Sequence, residues 1–185
     1  MSVAVQTLSP TAYLAQDRRS RVKSDYIDGH VYQMAGASLN HNLIVAAIVG
    51  ELYIHFQNHP CRVLPSDMRV RMGGSYVYPD IVIICDSPKV ESNDILLNPA
   101  VVIEVLSSST EAYDRGDKSK QLRTIPSLKE YALISQKNPH IEHYIRQQNN
   151  QWLFSETSST DSTMYLPSID FTLNLAKIYR DIDFE

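Results

Sequence analysis

The chain has 185 residues, 43% hydrophobic and 21% charged, an ordinary globular composition that excludes the disordered and fibrous classes. Lys and Arg number 17 against 21 Asp and Glu, a formal charge of −4 that argues against a nucleic-acid coat held by global positive charge while leaving room for a local basic groove. The apolar run Leu43 to Val49 is far shorter than the roughly 20 residues of a membrane helix, and Cys61 and Cys85 lack C-x-x-C spacing. A soluble, unprocessed, cytoplasmic protein is therefore expected, one domain spanning 1–185, with no disulfide framework, thiolate zinc site or membrane partner.

In chain order, Ser9-Pro10 reads as a helix start, with Ser at the cap and Pro in the first turn. Tyr26 to Tyr32 holds two β-type segments around Asp28-Gly29, a strong hairpin signal. Ile44, Ile48, Leu52 and Phe56 recur at steps of four, which predicts an amphipathic helix over His41–Asn58 capped by Asn40. Three β-like runs follow, Arg62–Met72, Tyr76–Cys85 and Ala100–Leu106, then a helix over Asp114–Thr124 that must stop before Pro126. Tyr131–Ser135 is an apolar strand, His140–Arg146 with Trp152–Phe154 a further hairpin, and Leu166–Leu175 a strand leading into a short terminal helix. The order helix, three strands, helix, strand predicts an α/β fold with a mixed sheet covered by helices.

Two carboxylates interrupt this pattern. Period-two alternation puts Asp80 on one face with Val82 and Ile84, and Glu104 on one face with Val102 and Leu106, inside runs that otherwise read as buried strand. Buried carboxylates take up a proton, pair with a cation or bind a metal, and two hard oxygen ligands together suit Mg²⁺, with Mn²⁺ as a substitute. Lys118 stands four and seven residues before Leu122 and Ile125, on the helix face that packs against the sheet, where a lysine needs an anion such as Asp80 or Glu104.

The ordered set Tyr78-Pro79-Asp80-Ile81-Val82-Ile83, Val102-Ile103-Glu104-Val105-Leu106-Ser107-Ser108-Ser109-Thr110 and Asp114-Arg115-Gly116-Asp117-Lys118 resembles the Uma-type restriction endonuclease family, a branch of the PD-(D/E)XK nuclease superfamily. The resemblance extends to Asp28-Gly29, Met34-Ala35-Gly36-Ala37-Ser38, His41 and Ser127 to Tyr131, nearly the whole chain. It implies a restriction-endonuclease-like core, α-β-β-β-α-β, with an extra N-terminal helix and hairpin and C-terminal β elements. It also implies Mg²⁺-dependent DNA cleavage, with Asp80, Glu104 and the Val105 carbonyl as metal ligands. One position departs from the superfamily pattern: Leu106 stands where a lysine is expected, and the resembled family supplies the lysine from the following helix, here Lys118. By the same resemblance Glu51, near the apolar stripe of the first long helix, is a candidate third acid, and His41 a candidate contact to the scissile phosphate. Asp25 and Asp67 are weaker candidates, readable as turn or strand-edge acids.

Other groups carry less. His55, His59 and Cys61 have a spacing zinc can use, but lie at a polar helix end with no fourth ligand apparent. The basic runs Arg18 to Lys23 and Arg115 to Arg123 suit phosphates on either side of the site or simply face solvent. Core packing accounts for most of the 11 tyrosines better than base stacking does. The expected function is a Mg²⁺-dependent endodeoxyribonuclease, with a homodimer expected because two sites cut two strands most easily. The rival reading is a catalytically silent nucleic-acid or protein binding module on the same fold.

Overall fold

The computed structural model describes residues 7–34 and 36–184. The extreme N-terminus and Ala35 of the resembled Met-Ala-Gly-Ala-Ser stretch lie outside these. Helix α1 (Pro10–Asp17) starts as expected, with Ser9 Oγ accepting from Ala12 N at 3.2 Å. The hairpin β1 (Ser24–Ile27) and β2 (His30–Gln33) turns at Asp28 (φ 49°) and Gly29 (φ 90°), the paired positive φ values of a type I′ turn. Helix α2 (Leu39–His55) begins earlier than the sequence suggests. Its cap is Ser38, whose hydroxyl accepts from His41 N, while Asn40 instead donates to the Asp183 carbonyl.

The first two long β-like runs each divide. Arg62–Met72 becomes β3 (Arg62–Pro65) and β4 (Arg69–Met72), separated by a turn through Asp67 at φ 100°. Tyr76–Cys85 becomes β5 (Ser75–Val77) and β6 (Ile81–Ile84), interrupted at Pro79, which has no N–H to donate to a ladder. At both breaks the chain crosses between sheets. After β7 (Val90–Glu91), β8 (Ile95–Leu96) and β9 (Val101–Leu106), the predicted helix over Asp114–Thr124 is two short helices, α3 (Glu111–Tyr113) and α4 (Ser119–Leu122). They are joined by a wide π-type turn, Asp114–Lys118, broken at Gly116. Then come β10 (Glu130–Ser135), β11 (Ile141–Arg146), β12 (Trp152–Thr157), β13 (Thr163–Leu166), β14 (Phe171–Asn174) and α5 (Leu175–Ile178).

One sheet runs β12-β11-β10-β9-β6-β3, with β9 and β10 parallel and the other neighbours antiparallel. Its core elements in chain order, α2, β3, β6, β9, the α3–α4 segment and β10, follow the expected α-β-β-β-α-β order. The second sheet runs β2-β1-β5-β4-β8-β7, and β13 pairs with β14 alone. Ile44, Ile48 and Leu52 of α2 pack on Ile81, Ile83, Val101, Ile103 and Val105. The alternate residues Val82, Ile84, Val102 and Leu106 face Leu122, Ile125 and the second sheet. Period two therefore assigns the faces of β6 and β9 correctly.

Buried Arg69 ties α1 to the second sheet through Asp17 at 2.7 Å and Asp94 at 2.6 Å, and Arg18 adds a 2.8 Å pair to Asp94. The cysteines correct the sequence reading: Cys61 and Cys85 are disulfide-bonded. The β3–β6 ladder pairs Arg62 with Ile84, so the next position outward sets the cysteines opposite one another, a neighbourhood that their separation of 24 residues hides. Cysteine usage thus lends no support to a reducing compartment. Among the described residues no helix is long and apolar enough to cross a membrane.

Candidate active site

Strand register and the kinked α3–α4 segment bring residues from five parts of the chain to one cleft of about 600 Å³. Asp80 stands just before β6 and Glu104 within β9. The Asp80 backbone N–H donates to Glu104 Oε2 at 3.2 Å, and the Val105 N–H donates to Asp80 Oδ2 at 2.8 Å, so the chain itself fixes both carboxylates. The N–H and C=O of one extended residue point to the same flank, so the Val105 carbonyl faces the Asp80 side too. From the first turn of α2, His41 Nε2 donates to Asp80 Oδ2 at 3.1 Å, the carboxylate being the acceptor. The other ring nitrogen, Nδ1, is buried with no partner among the described residues.

Lys118 is only 3% exposed. Its ammonium lies 2.7 Å from Glu104 Oε1 and 3.5 Å from both Asp25 Oδ2 and Asp114 Oδ1. The last contact is an i,i+4 pair across the π-type turn. Leu122 and Ile125 are buried on the same side, as the four- and seven-residue spacing predicts. Asp25 is held by the Tyr78 N–H at 2.8 Å and the Tyr113 hydroxyl at 3.0 Å.

These contacts set the charges. Burial raises Glu104 well above the usual carboxylate range; the Lys118 ammonium opposes that shift, and the neighbouring Asp80 and Asp114 reinforce it. Burial likewise raises Asp25, against Lys118 and its two hydrogen bonds. Burial also works against the Asp80 charge, but His41, the Val105 N–H and Lys118 together outweigh it and hold this group below the usual range. Lys118 is raised, since Asp25, Glu104 and Asp114 more than offset its desolvation. One carboxylate is thus kept ionised beside another poised to accept a proton or a cation, a split found where chemistry is done.

Two carboxylates and a backbone carbonyl are hard oxygen donors, the ligand chemistry that Mg²⁺ takes. Both hydrogen bonds received by Asp80 reach Oδ2, leaving Oδ1 without a protein donor among the described residues. Among the described residues no three His, Cys, Asp or Glu side chains form a group that could hold a metal ion by themselves.

Several sequence candidates lie elsewhere. Glu51 is not brought to the cleft; it is half-exposed and pairs with Lys177 at 2.7 Å. Its position beside the apolar stripe did not determine where along α2 the site falls, which is at the N-terminal end. Asp67 pairs with Lys23 at the turn. Arg115 is engaged by Glu111 and Glu142, and Arg123 lies over the Tyr144 ring. Asp114 and Tyr113 were not singled out from sequence, although Asp114 opens the quoted Asp-Arg-Gly-Asp-Lys stretch and its four-residue spacing to Lys118 was a usable signal.

A sequence model of the Uma2 family, described as "Putative restriction endonuclease", matches residues 10–176. An uncharacterized protein of Synechocystis sp., slr1290, is 34% identical over 179 residues, covering 96% of this chain and 94% of its own. A second from the same organism, sll1609, is 35% identical over 153 residues, 80% of this chain and 86% of its own. A solved structure from Anabaena variabilis, described as "a putative nuclease belonging to DUF820", superposes with a TM-score of 0.77 at 19% identity, over 94% of this chain and 98% of that one. The two share a fold.

Proposed function

Since the chain belongs to the Uma2 family, we propose that it is a Mg²⁺-dependent endonuclease that hydrolyses DNA phosphodiester bonds. Asp80 and Glu104, with the Val105 carbonyl, would hold the ion. When bound, Mg²⁺ supplies Lewis-acid charge at the phosphoryl oxygens and lowers the pKa of water. The observation that carries the reading is the 2.7 Å contact between Lys118 Nζ and Glu104 Oε1, beside the backbone-anchored Asp80.

The chain's own groups do the following. Lys118 is the shifted lysine, a cation that stabilises negative charge growing on the phosphate, commonly the largest catalytic contribution. Asp25 and Asp114 hold its ammonium in place. His41 fixes the Asp80 carboxylate in place through Nε2. The silent binding module gains nothing from Leu106, because the cation it lacks is present from another element.

A divalent-metal titration of cleavage tests this on supercoiled, linear and single-stranded DNA, with Asp80→Ala, Glu104→Ala and Lys118→Met beside the unaltered protein. Each variant is expected to lose at least about 100-fold in rate. Unchanged cutting in all three would sink the assignment.

A further inference from the structure

The cleft has an aromatic wall that the proposed chemistry does not use. Tyr32 on β2 pairs directly with Asp25 on β1, so their side chains project from the same face and Tyr32 stands beside the acid that holds Lys118. The Tyr32 ring stacks on that of Tyr113, with centroids 4.9 Å apart and planes 26° from parallel. Tyr113 is itself fixed, its hydroxyl on Asp25 and the Lys118 ammonium 5.9 Å from its ring centre. The stack therefore begins at the proposed reaction centre and ends at Tyr32, which is 39% exposed. A large exposed aromatic packed on a second ring is a supported platform rather than a core residue that failed to bury.

The rim around it is basic. Arg21 and Lys23 line the same cleft; Lys23 is shared with Asp67 at the turn, while Arg21 has no acidic partner among the described residues. Acids at the floor, an aromatic shelf on one wall and cations at the rim are the three surfaces that a metal-assisted site, a base and a phosphate backbone each call for. The cleft measures about 600 Å³, within the roughly 300–1,000 Å³ range of small-ligand sites and so large enough to take one nucleotide. A base inside a duplex is covered on both faces by its neighbours, so only an unpaired or extruded base can lie on Tyr32.

We propose that the Tyr32–Tyr113 stack is a nucleobase platform and that the substrate enters the cleft as single-stranded DNA, with one base on the open side of Tyr32 and its flanking phosphates at Arg21 and Lys23. The inference rests on the nuclease reading of the cleft and narrows its substrate. One strand per cleft also removes the reason for two-fold pairing that duplex cutting supplies.

The test separates binding from cleavage. Binding of a short fluorescein-labelled oligothymidylate is followed by anisotropy in EDTA, with the same strand annealed to oligodeoxyadenylate as the duplex comparison. The unaltered protein should bind the single strand more tightly than the duplex. Tyr32→Leu should weaken single-strand binding at least about fivefold, the low end for losing one base–aromatic stack, and Tyr32→Phe should stay within about twofold. Equal single-strand affinity for Tyr32→Leu and the unaltered protein would overturn the platform, as would tighter duplex binding that is indifferent to Tyr32 or no binding of the strand at all. Cleavage with Mg²⁺ is then measured separately. A platform that binds as expected without any cleavage would leave this inference standing and the nuclease reading failed. Cleavage with unchanged KM in Tyr32→Leu would do the reverse.

Discussion

Replacing Lys118 with Met keeps a side chain of similar length and removes the charge that Glu104, Asp25 and Asp114 share at 2.7, 3.5 and 3.5 Å. At an effective dielectric of about 20, each such contact is worth ~5–6 kcal/mol before desolvation. Burying the ammonium offsets most of that, and removing one partner of a buried pair costs about 3–5 kcal/mol net. The loss should depend on pH. Asp25 and Glu104 are raised by burial even with the ammonium beside them, and without it they rise further. A carboxyl whose folded pKa lies above its unfolded value contributes stability below the unfolded pKa and loses it as pH rises through the folded one. Lys118→Met should therefore be only mildly destabilised near pH 5 and approach the full loss near pH 8. Urea unfolding at the two pH values, in EDTA, measures this. A loss below about 1 kcal/mol at both, or one of the same size at both, would refute the account of Lys118 as the counter-charge of a buried acid cluster.

Three further outcomes follow from contacts away from the cleft. Cys61→Ser with Cys85→Ser, or reduction of the bond, should lower the unfolding free energy by up to about 3 kcal/mol, as expected for opening a loop whose ends are 24 residues apart; urea titration with and without reductant reads it. Glu51→Gln should change stability by less than about 0.5 kcal/mol and leave DNA cleavage as it was, because its exposed pair with Lys177 contributes little; loss of cleavage would return Glu51 to the site. The Arg18 hydrogen bond, with Arg69 beside it, holds Asp94 below its usual value of 3.8. That carboxylate stabilises the fold above its unfolded pKa and ceases to as pH falls through the lower folded one. Asp94→Asn should flatten this acid limb, and an unchanged slope below about pH 4 in thermal melts would contradict it.

Local physics made much of this protein legible from its residues. The Ser9 cap before Pro10, the Asp28-Gly29 turn and the four-residue stripe of α2 depend on neighbours along the chain, as does the alternation that put Glu104 with Val102 and Leu106. Lys118 on the sheet-facing side follows from the same periodicity, and so does the suspicion that two carboxylates in apolar strands needed a cation. The boundaries were less legible. Pro79 and the Ser66-Asp67 turn each sit inside a run that reads as continuous strand, and whether a strand continues or crosses to another sheet depends on partners remote in sequence.

Only the tertiary structure decided which of these groups meet. Asp25, a turn acid by sequence, enters the site because β1 pairs with β5 and delivers it to Tyr78, while Glu51 leaves it because α2 aims its first turn at Asp80 and its last turn at α5. The same registers join Cys61 to Cys85 and set Tyr32 opposite Asp25 and against Tyr113. Side-chain periodicity is a short-range steric property that a single strand or helix carries by itself. Register between elements is chosen by the joint packing of all of them, so the chemistry of each residue could be read singly but the site could not.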